Sequence, residues 1–225
     1  GILSPDEVAQ IKGVLESLLN QKIELKPQDE DVHSFLEAHL IAELGDVGEK
    51  IHTGRSRNDQ VLVDLRLYAK DQLQQIALQS LALIEVLLEL AQEHEFAPMP
   101  GTTHTRFAMP SSIGLWASSF AEGLLETLIE LSAAHQLVNR SPLGSSAGYG
   151  VPLPLEREYV AELLGFESAQ INALNIVSSR SKIDFAVISA LASIMLDLGR
   201  LSTDLIWGSS EKFQFFEIPS EFCTG

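Results

Sequence analysis

Residues 60–97 read QVLVDLRLYAKDQLQQIALQSLALIEVLLELAQEHEFA, a long stretch that contains neither glycine nor proline. Apolar residues recur in it at three- and four-residue spacing, at Leu62, Leu65, Ala69 and Leu73. This spacing predicts a helix with one apolar face. At 1.5 Å per residue the helix is roughly 55 Å long. Its second half is apolar nearly all round, which is typical of a helix buried among others.

Other helices are predicted on both sides of this stretch. Two are also long, from Pro110 to about Asn139 and from Lys182 to Ser209, although Gly199 and Gly208 weaken the last of them. Shorter helices are predicted at 4–21, 31–44 and 156–164, the first beginning with a capping box of Ser4 and Glu7. The intervening segments 26–29, 98–106 and 142–154 are predicted to be breaks or loops.

No strand-like alternation persists in the sequence, and no internal repeat is present. The predicted fold is therefore all-α, with three long helices packed as a bundle. Helices this long expose more apolar surface than a chain of 225 residues can cover, which predicts a homo-oligomer.

Composition and charge narrow the class of protein. The net charge of −16 argues against a nucleic-acid partner, because binding to phosphates needs a basic surface. The lone cysteine, Cys223, has no partner for an internal disulfide and favours a reducing compartment. No charge-free apolar run is long enough for a membrane span, and residues 1–20 lack a signal-peptide pattern. We therefore expect a cytoplasmic protein with neither membrane nor nucleic acid as partner.

Both termini read as internal positions of a longer protein. The chain begins with Gly1 rather than methionine, and it ends at Gly225 in a predicted loop. We interpret residues 1–50 as the C-terminal part of an N-terminal helical domain. Residues 51–225 are interpreted as a central helical-bundle domain that is incomplete at its C-terminal side.

The main candidate for chemistry is the segment HTGRSRNDQ at residues 52–60, immediately before the long helix. In an acidic chain, Lys50, Arg55 and Arg57 gather within eight residues. A glycine-containing polar loop at a helix N-terminus, with forked arginine donors, suits a carboxylate or phosphate. The alternative is a solvated loop whose helix cap is Asn58 or Asp59.

Two further polar clusters could complete such a site. The first, Thr102–Arg106, contains His104, whose imidazole could act as an acid, a base or a relay near neutral pH. The alternative is a loop histidine that is satisfied by neighbouring hydroxyls. The second cluster, residues 178–182, is cationic and precedes the third long helix, where it could also be only a helix start.

Two other patterns are weaker candidates. His33 and Glu37 share a helix face, but no HExxH motif is present, so we expect no metal. The glycine-rich segment 144–150 lacks the lysine and the preceding strand of a phosphate loop. A turn that permits close approach of chain segments is the better interpretation. His94 and His135 are interpreted as structural.

Several motifs in order resemble argininosuccinate lyases, a family of the fumarase/aspartase superfamily. Residues 48–60 resemble the first signature of that family almost without change, and 99–104 resemble its MPGYTH region. Residues 142–145 and 157–166 also match, and 221–225 resemble the approach to its third signature, a mobile loop. The resemblance covers essentially the whole chain, and HTGRSRNDQ is its most specific part.

This resemblance implies a carbon–nitrogen lyase of arginine biosynthesis and the urea cycle. The reaction would be the reversible anti-elimination of argininosuccinate to arginine and fumarate, without a cofactor. Ser56, Arg57 and Asn58 would bind the substrate, Thr103 would bind a carboxylate, and His104 would be catalytic. His33 and Arg55 are further possible site residues.

The resemblance also implies a homotetramer whose active sites are shared between subunits. The family's serine base and substrate-binding lysine belong to the loop that follows Gly225, so the segment alone is predicted to be inactive. Departures from the family pattern are Thr102 in place of tyrosine, Arg106 in place of glutamine, and SRSKIDF at 179–185. Because of the last, neither Arg180 nor Lys182 is assigned a role.

Two alternatives remain open at this point. One is another lyase of the same superfamily, acting on adenylosuccinate or aspartate. The other is a catalytically silent structural protein of the crystallin type. A purely structural role would not require Arg57, Asn58, Thr103 and His104 to be kept together.

Overall fold

A computed structural model describes residues 2–19, 21–25 and 29–223. In chain order the helices and strands are α1 (Pro5–Leu19), α2 (Val32–Leu44), α3 (Asp46–Glu49), α4 (Arg57–Glu93), β1 (Pro98–Thr103), β2 (Arg106–Ser112), α5 (Ile113–Val138), β3 (Arg140–Ser141), α6 (Arg157–Leu163), β4 (Ser168–Ala169), α7 (Ala173–Ser178) and α8 (Arg180–Gly208). Short 3₁₀ turns occupy Lys50–His52 and Ser220–Phe222. Most of the break predicted at 26–29, and the predicted terminal loop at Thr224-Gly225, lie outside the described residues.

The chain divides into two compact units. The first unit comprises Gly1–Arg66 with Arg140–Arg180, and the second comprises Leu67–Asn139 with Ser181–Gly225. Helix α4 therefore begins in the first unit and continues in the second. The predicted domain boundary at residue 50 concerns the whole protein and stays a prediction.

Local capping explains where several helices begin and end. At α1 the Ser4 backbone N–H donates to Glu7 Oε2 at 2.8 Å, and the Glu7 N–H donates to Ser4 Oγ at 3.3 Å, so the predicted capping box is confirmed. Asp31 caps α2 through the N–H of Ser34, and Gly45 ends it at a φ of 56°. These capping contacts join residues within one helical turn, so the helix ends could be predicted from the local sequence.

The three long helices pack together in the second unit, as predicted. One apolar cluster joins side chains from α4, α5 and α8: Leu73, Leu131, Ala134, Val138, Ala190 and Ile194. A second joins Ile84 and Leu87 of α4 to Phe120, Ala121 and Leu124 of α5. Each helix of the unit thus buries one stripe against its neighbours.

The first prediction to be wrong concerns residues 98–112, which were expected to be a loop followed by a helix start. They form an antiparallel hairpin in which Thr103 pairs with Arg106, leaving His104 and Thr105 as the turn. The strands contain three prolines and several threonines and serines, with no apolar alternation. Their pairing therefore left no period-two signal in the sequence. The short parallel pair β3–β4 and helix α7 were also not predicted.

The long helices leave much apolar surface exposed. The second half of α4, expected to be buried on all sides, exposes Leu78, Leu81, Val86 and Leu88. In α8 the exposed side chains include Phe185, Ile188, Met195 and Leu196. Helices α4 and α8 are each long and apolar enough to cross a membrane. Core helices of soluble proteins can have the same length and composition. The expected lack of a membrane partner therefore stays a prediction.

Candidate functional site

The turn that leads into α4 is shaped by backbone hydrogen bonds. The N–H of Thr53 donates to the Lys50 carbonyl and that of Arg55 to the His52 carbonyl, each at 3.0 Å. Gly54 has a φ of 74°, and a Cβ added there would lie 3.2 Å from a methyl group of Leu155. Glycine is required at this position because its backbone conformation and the space around it both disfavour a side chain.

Arg57 is the most constrained cation of the turn. Its Nε lies 3.0 Å from Asp31 Oδ2, and its Nη2 donates to Ser34 Oγ at 2.9 Å. Its Nη1 donates to Gln60 Oε1 at 3.2 Å. Two guanidinium N–H groups donate hydrogen bonds, and the ion pair with Asp31 adds a charge contact. The side chain is thus oriented before any ligand arrives.

Ser56 and Asn58 form a small polar unit at the helix start. The backbone N–H and the side-chain amide of Asn58 each donate to Ser56 Oγ at 3.3 Å. Ser56 is therefore the N-cap of α4. The alternative interpretation of the sequence, in which Asn58 or Asp59 is the cap, is wrong on this point. Ser56 is half-buried and Asn58 is exposed, so both polar groups can be reached from solvent.

Asp59 connects this turn to a distant loop. The carboxylate is fully buried. Oδ1 accepts the Ser56 N–H at 2.9 Å, and Oδ2 accepts the N–H groups of Gly144 and Ser146 at 3.2 and 2.8 Å. The glycine-rich loop, which superficially resembled a phosphate loop, thus donates its N–H groups to the carboxylate of Asp59.

Two histidines of the first unit lie beside carboxylates. His33 Nε2 lies 2.6 Å from Asp64 Oδ2, and His52 Nδ1 lies 3.4 Å from Glu37 Oε2. Arg55 lines a small cavity of about 90 Å³ together with Arg157 and Glu156. His33 thus contacts α4 through Asp64, and Arg55 lies in the turn before that helix. Their roles as possible site residues stay predictions.

Two carboxyl groups near the turn have lowered pKa values. The side chain of Lys50 donates to Glu7, and with the N–H of Ser4 it lowers the pKa of Glu7 from 4.5 to about 2. The backbone N–H of Ser34 lowers the pKa of Asp31, and the charge of Arg57 adds to the effect. Both carboxylates are therefore ionised at neutral pH and hold their cations in place.

Thr103 and His104 belong to the second unit, at the tip of the β1–β2 hairpin. His104 and Thr105 have φ values of 51° and 62°. A two-residue turn with positive φ at both positions is the type I′ hairpin, which usually carries Asn-Gly. A β-branched residue such as Thr105 is disfavoured there. Thr103 and His104 are exposed.

His104 also lines a cavity of about 610 Å³ between the hairpin, α5 and α8. Aromatic side chains, including Trp116 and Trp207, form much of its wall. The indole N–H of Trp116 donates to Asp204 Oδ2 at 2.9 Å. This places one carboxylate and one imidazole on the wall of the same cavity.

The structure thus collects the predicted residues into two groups. Those of the first unit are His33, Arg55, Ser56, Arg57 and Asn58, and those of the second are Thr103 and His104. In the third cationic cluster, Arg180 and Lys182 are exposed at the start of α8. Among the described residues, no three histidine, cysteine or acidic side chains are grouped to hold a metal ion.

Sequence reasoning missed the residues that support these groups. The sequence placed Asp31 and Asp59 at helix starts. It did not indicate that Asp31 also pairs with Arg57, or that Asp59 also accepts N–H groups of the glycine-rich loop. Ser34, Trp116 and Asp204 gave no signal, because their contacts lie 23 or more positions away along the chain.

Comparison with known proteins gives a consistent family. Residues 1–224 match a family model described as Lyase. The chain is 43% identical to the argininosuccinate lyase of Stenotrophomonas maltophilia (strain R551-3) and 42% identical to that of Phocaeicola vulgatus. Each match covers 100% of this chain and 53% or 51% of the relative. The chain therefore spans about half the length of the curated relatives it matches.

Solved structures show the same fold. An EDDS lyase in complex with formate is 26% identical, with a TM-score of 0.89 over 99% of this chain and 44% of its own. An EDDS lyase variant with bound fumarate matches equally well. A fumarate lyase from Mesorhizobium sp. BNC1 is 19% identical, with a TM-score of 0.74 over 95% of this chain and 51% of its own, and supports the fold alone. The predicted helical bundle is confirmed.

Proposed function

The chain belongs to the lyase family, and from this premise we propose that the whole protein is an argininosuccinate lyase. It would cleave argininosuccinate reversibly into arginine and fumarate. Identities of 40–43% across the entire chain to relatives of that name support this substrate. The observation that carries the proposal is the HTGRSRNDQ turn, because its Arg57 is held in a fixed orientation beside the exposed Asn58.

The chemistry explains the residue types at the turn. Removing a proton beside a carboxylate leaves a carbanion whose charge spreads onto the carboxylate as a doubly charged aci-carboxylate. Donors that are already oriented stabilise such a charge without reorganising. Arg57 is the fixed cation for this purpose. Ser56 and Asn58 supply a hydroxyl and an amide for the succinyl and amino-acid parts of the substrate.

The hairpin tip would supply the second half of the chemistry. Elimination needs one group to remove the proton and another to protonate the departing nitrogen on the opposite face. His104 is exposed at a turn where its backbone conformation is unusual, which is a common property of functional residues. We assign it the role of an acid, base or relay, with Thr103 as a carboxylate donor.

A homotetramer with shared sites is part of the same proposal. Apolar side chains that remain exposed on the long helices include Leu78, Val86, Ile129, Phe185 and Leu196. Extensive exposed apolar surface is a mark of interfaces in soluble proteins. Self-association would bury it and would bring turns and hairpins of different subunits around one ligand. A cytoplasmic location also belongs to the proposal.

The test is the release of fumarate by the full-length protein. Argininosuccinate should yield ultraviolet absorbance from fumarate, whereas adenylosuccinate, aspartate and EDDS should not yield it at a comparable rate. Preferred cleavage of one of those three would replace the substrate while keeping the reaction class. A tetramer that cleaves none of the four would favour the silent, crystallin-like alternative.

A further inference from the structure

Asp59 makes contacts that a helix cap alone would not require. The reciprocal bond from Ser56 N–H to a side-chain oxygen three residues later is an ordinary capping box. That bond uses only Oδ1. The other oxygen, Oδ2, receives two N–H groups from a loop that lies 85 and 87 positions further along the chain. The same carboxylate thus belongs to two structures at once.

The loop that it holds has an unusual backbone. Gly144 and Ser146 have φ values of 87° and 52°. Successive N–H groups in such conformations form a concave nest that binds an anion. Here the anion is supplied from within the protein. Ser145, between the two donors, is fully buried, so the loop lies against the interior of the first unit.

Arg157 binds a carbonyl group of the same loop, whereas Asp59 binds its N–H groups. Its Nε donates to the carbonyl of Leu143 at 3.0 Å, and its Nη2 donates to that of Gln170 at 2.6 Å. A Cβ added at Gly144 would lie 2.9 Å from the Arg157 side chain. The loop is therefore held through its N–H groups by Asp59 and through a carbonyl by Arg157.

A buried carboxylate is costly unless several donors compensate it, and here three backbone N–H groups do so. An uncharged residue at position 59, such as glutamine, could complete the capping box with Ser56 equally well. The additional bonds make the position of the Ser56–Asn58 turn depend on the loop.

We infer that Asp59 is a positioning residue of the substrate site: its carboxylate locks the Ser56–Asn58 turn to the 143–146 loop. It touches no substrate itself, and it acts by fixing where the Ser56 hydroxyl and the Asn58 amide lie. This inference rests on the proposed function, since the turn is the part of the site that would bind argininosuccinate.

The test is Asp59→Asn in the full-length protein, assayed by fumarate release. The asparagine amide would turn an N–H₂ group toward N–H donors and break at least one link. A displacement of about 1 Å at a binding group can cost roughly 100-fold. We therefore expect kcat/KM to fall about 100-fold at a temperature where circular dichroism shows the variant to be folded. A value within threefold of wild type would overturn the inference.

Asp197→Asn is the matched control. Asp197 is also a largely buried carboxylate, and its contacts are with Thr127 and Arg200. It should lose thermal stability without a change in kcat/KM. An equal loss of kcat/KM in both variants would reduce Asp59 to a structural role and overturn the inference. Should Asp59→Asn fail to fold, Asp59→Glu keeps the charge but displaces it, and at least a tenfold fall is expected; retention within threefold again counts against the inference.

Hydrogen–deuterium exchange separates this inference from the proposed function. In Asp59→Asn, peptides covering 52–60 and 142–150 should exchange faster together, while peptides of α8 should not change. If wild type does not cleave argininosuccinate, the proposed function fails, but the coupled exchange still tests the link. If argininosuccinate is cleaved and the 142–150 peptide is unaffected, the link is absent and the inference fails alone.

Discussion

The guanidinium of Arg57 is held by the carboxylate of Asp31, with Nε 3.0 Å from Oδ2. Asp31 is the N-cap of α2 and Arg57 is the first residue of α4, so this ion pair joins the starts of two helices. The same carboxylate caps α2 through the N–H of Ser34, whose hydroxyl in turn accepts from Arg57. The cap of α2, the Ser34 hydroxyl and the Arg57 cation therefore form a single connected unit.

Arg57→Lys should abolish most activity while the protein remains folded. A lysine ammonium is a point charge and cannot reproduce the planar fork that contacts Asp31, Ser34 and Gln60. We expect kcat/KM for argininosuccinate to fall at least about 100-fold, as misplacement of a binding group implies. The matched control is Arg200→Lys, an exposed arginine of α8, which should keep its kcat/KM. Equal activity in the two variants would remove Arg57 from the site.

His104→Asn should lower kcat by about 10²- to 10⁴-fold, the usual contribution of one acid–base group. Asparagine tolerates positive φ, so the hairpin turn should survive the change. Sedimentation should show the same oligomer as wild type. His135→Asn provides the control, because His135 lies on α5 beside Gln74. If kcat is unchanged in His104→Asn, the histidine has no part in proton transfer.

The Glu7–Lys50 pair should make stability depend on pH in the acid range. Because the pKa of Glu7 falls from 4.5 to about 2 on folding, the ionised form stabilises the native state. That contribution is complete above the unfolded pKa of 4.5 and is lost as the pH falls toward about 2. Urea unfolding should show wild type more stable than Glu7→Gln near neutral pH, with the difference shrinking below about pH 4.5.

The control for this titration is Glu16→Gln, which removes an exposed carboxylate paired with Lys12 on the same helix. Its difference from wild type should be small at every pH. A Glu7→Gln difference that stays constant down to the acid limit would show that Glu7 has an ordinary pKa in the folded protein.

Two glycine-to-alanine changes should have opposite effects on stability. A Cβ at Gly48 would lie 2.3 Å from the Leu40 carbonyl oxygen, so α2 and α3 must separate. We expect Gly48→Ala to destabilise by about 1–3 kcal/mol, as overpacking does. At Gly13, in the middle of α1, no atom beyond the chain neighbours and the helix's own backbone lies within 4 Å of the added Cβ, and alanine should stabilise by about 0.5–1 kcal/mol. Thermal unfolding measures both, and equal signs would contradict the packing of α3 on α2.

How much could be predicted depended on how local each signal was. The Ser4–Glu7 capping box was predicted because its partners lie three residues apart. The hairpin that carries His104 was missed, since its strands contain prolines and exposed polar residues and show no apolar alternation. The two halves of the candidate site were recognised as motifs, but their supporting contacts were not.

The sequence by itself determined the three long helices, their approximate limits and the polar segments at their ends, because helical periodicity and capping act over a few residues. Only the tertiary structure decided that Asp59 would bind Gly144 and Ser146, that Arg57 would contact Ser34, and that Gly48 would lie against Leu40. These partners are separated by up to 87 positions, and a residue's type does not state which distant group will compensate its charge. That choice follows from the path of the folded backbone, which brings the N–H groups of one loop to a carboxylate on a helix.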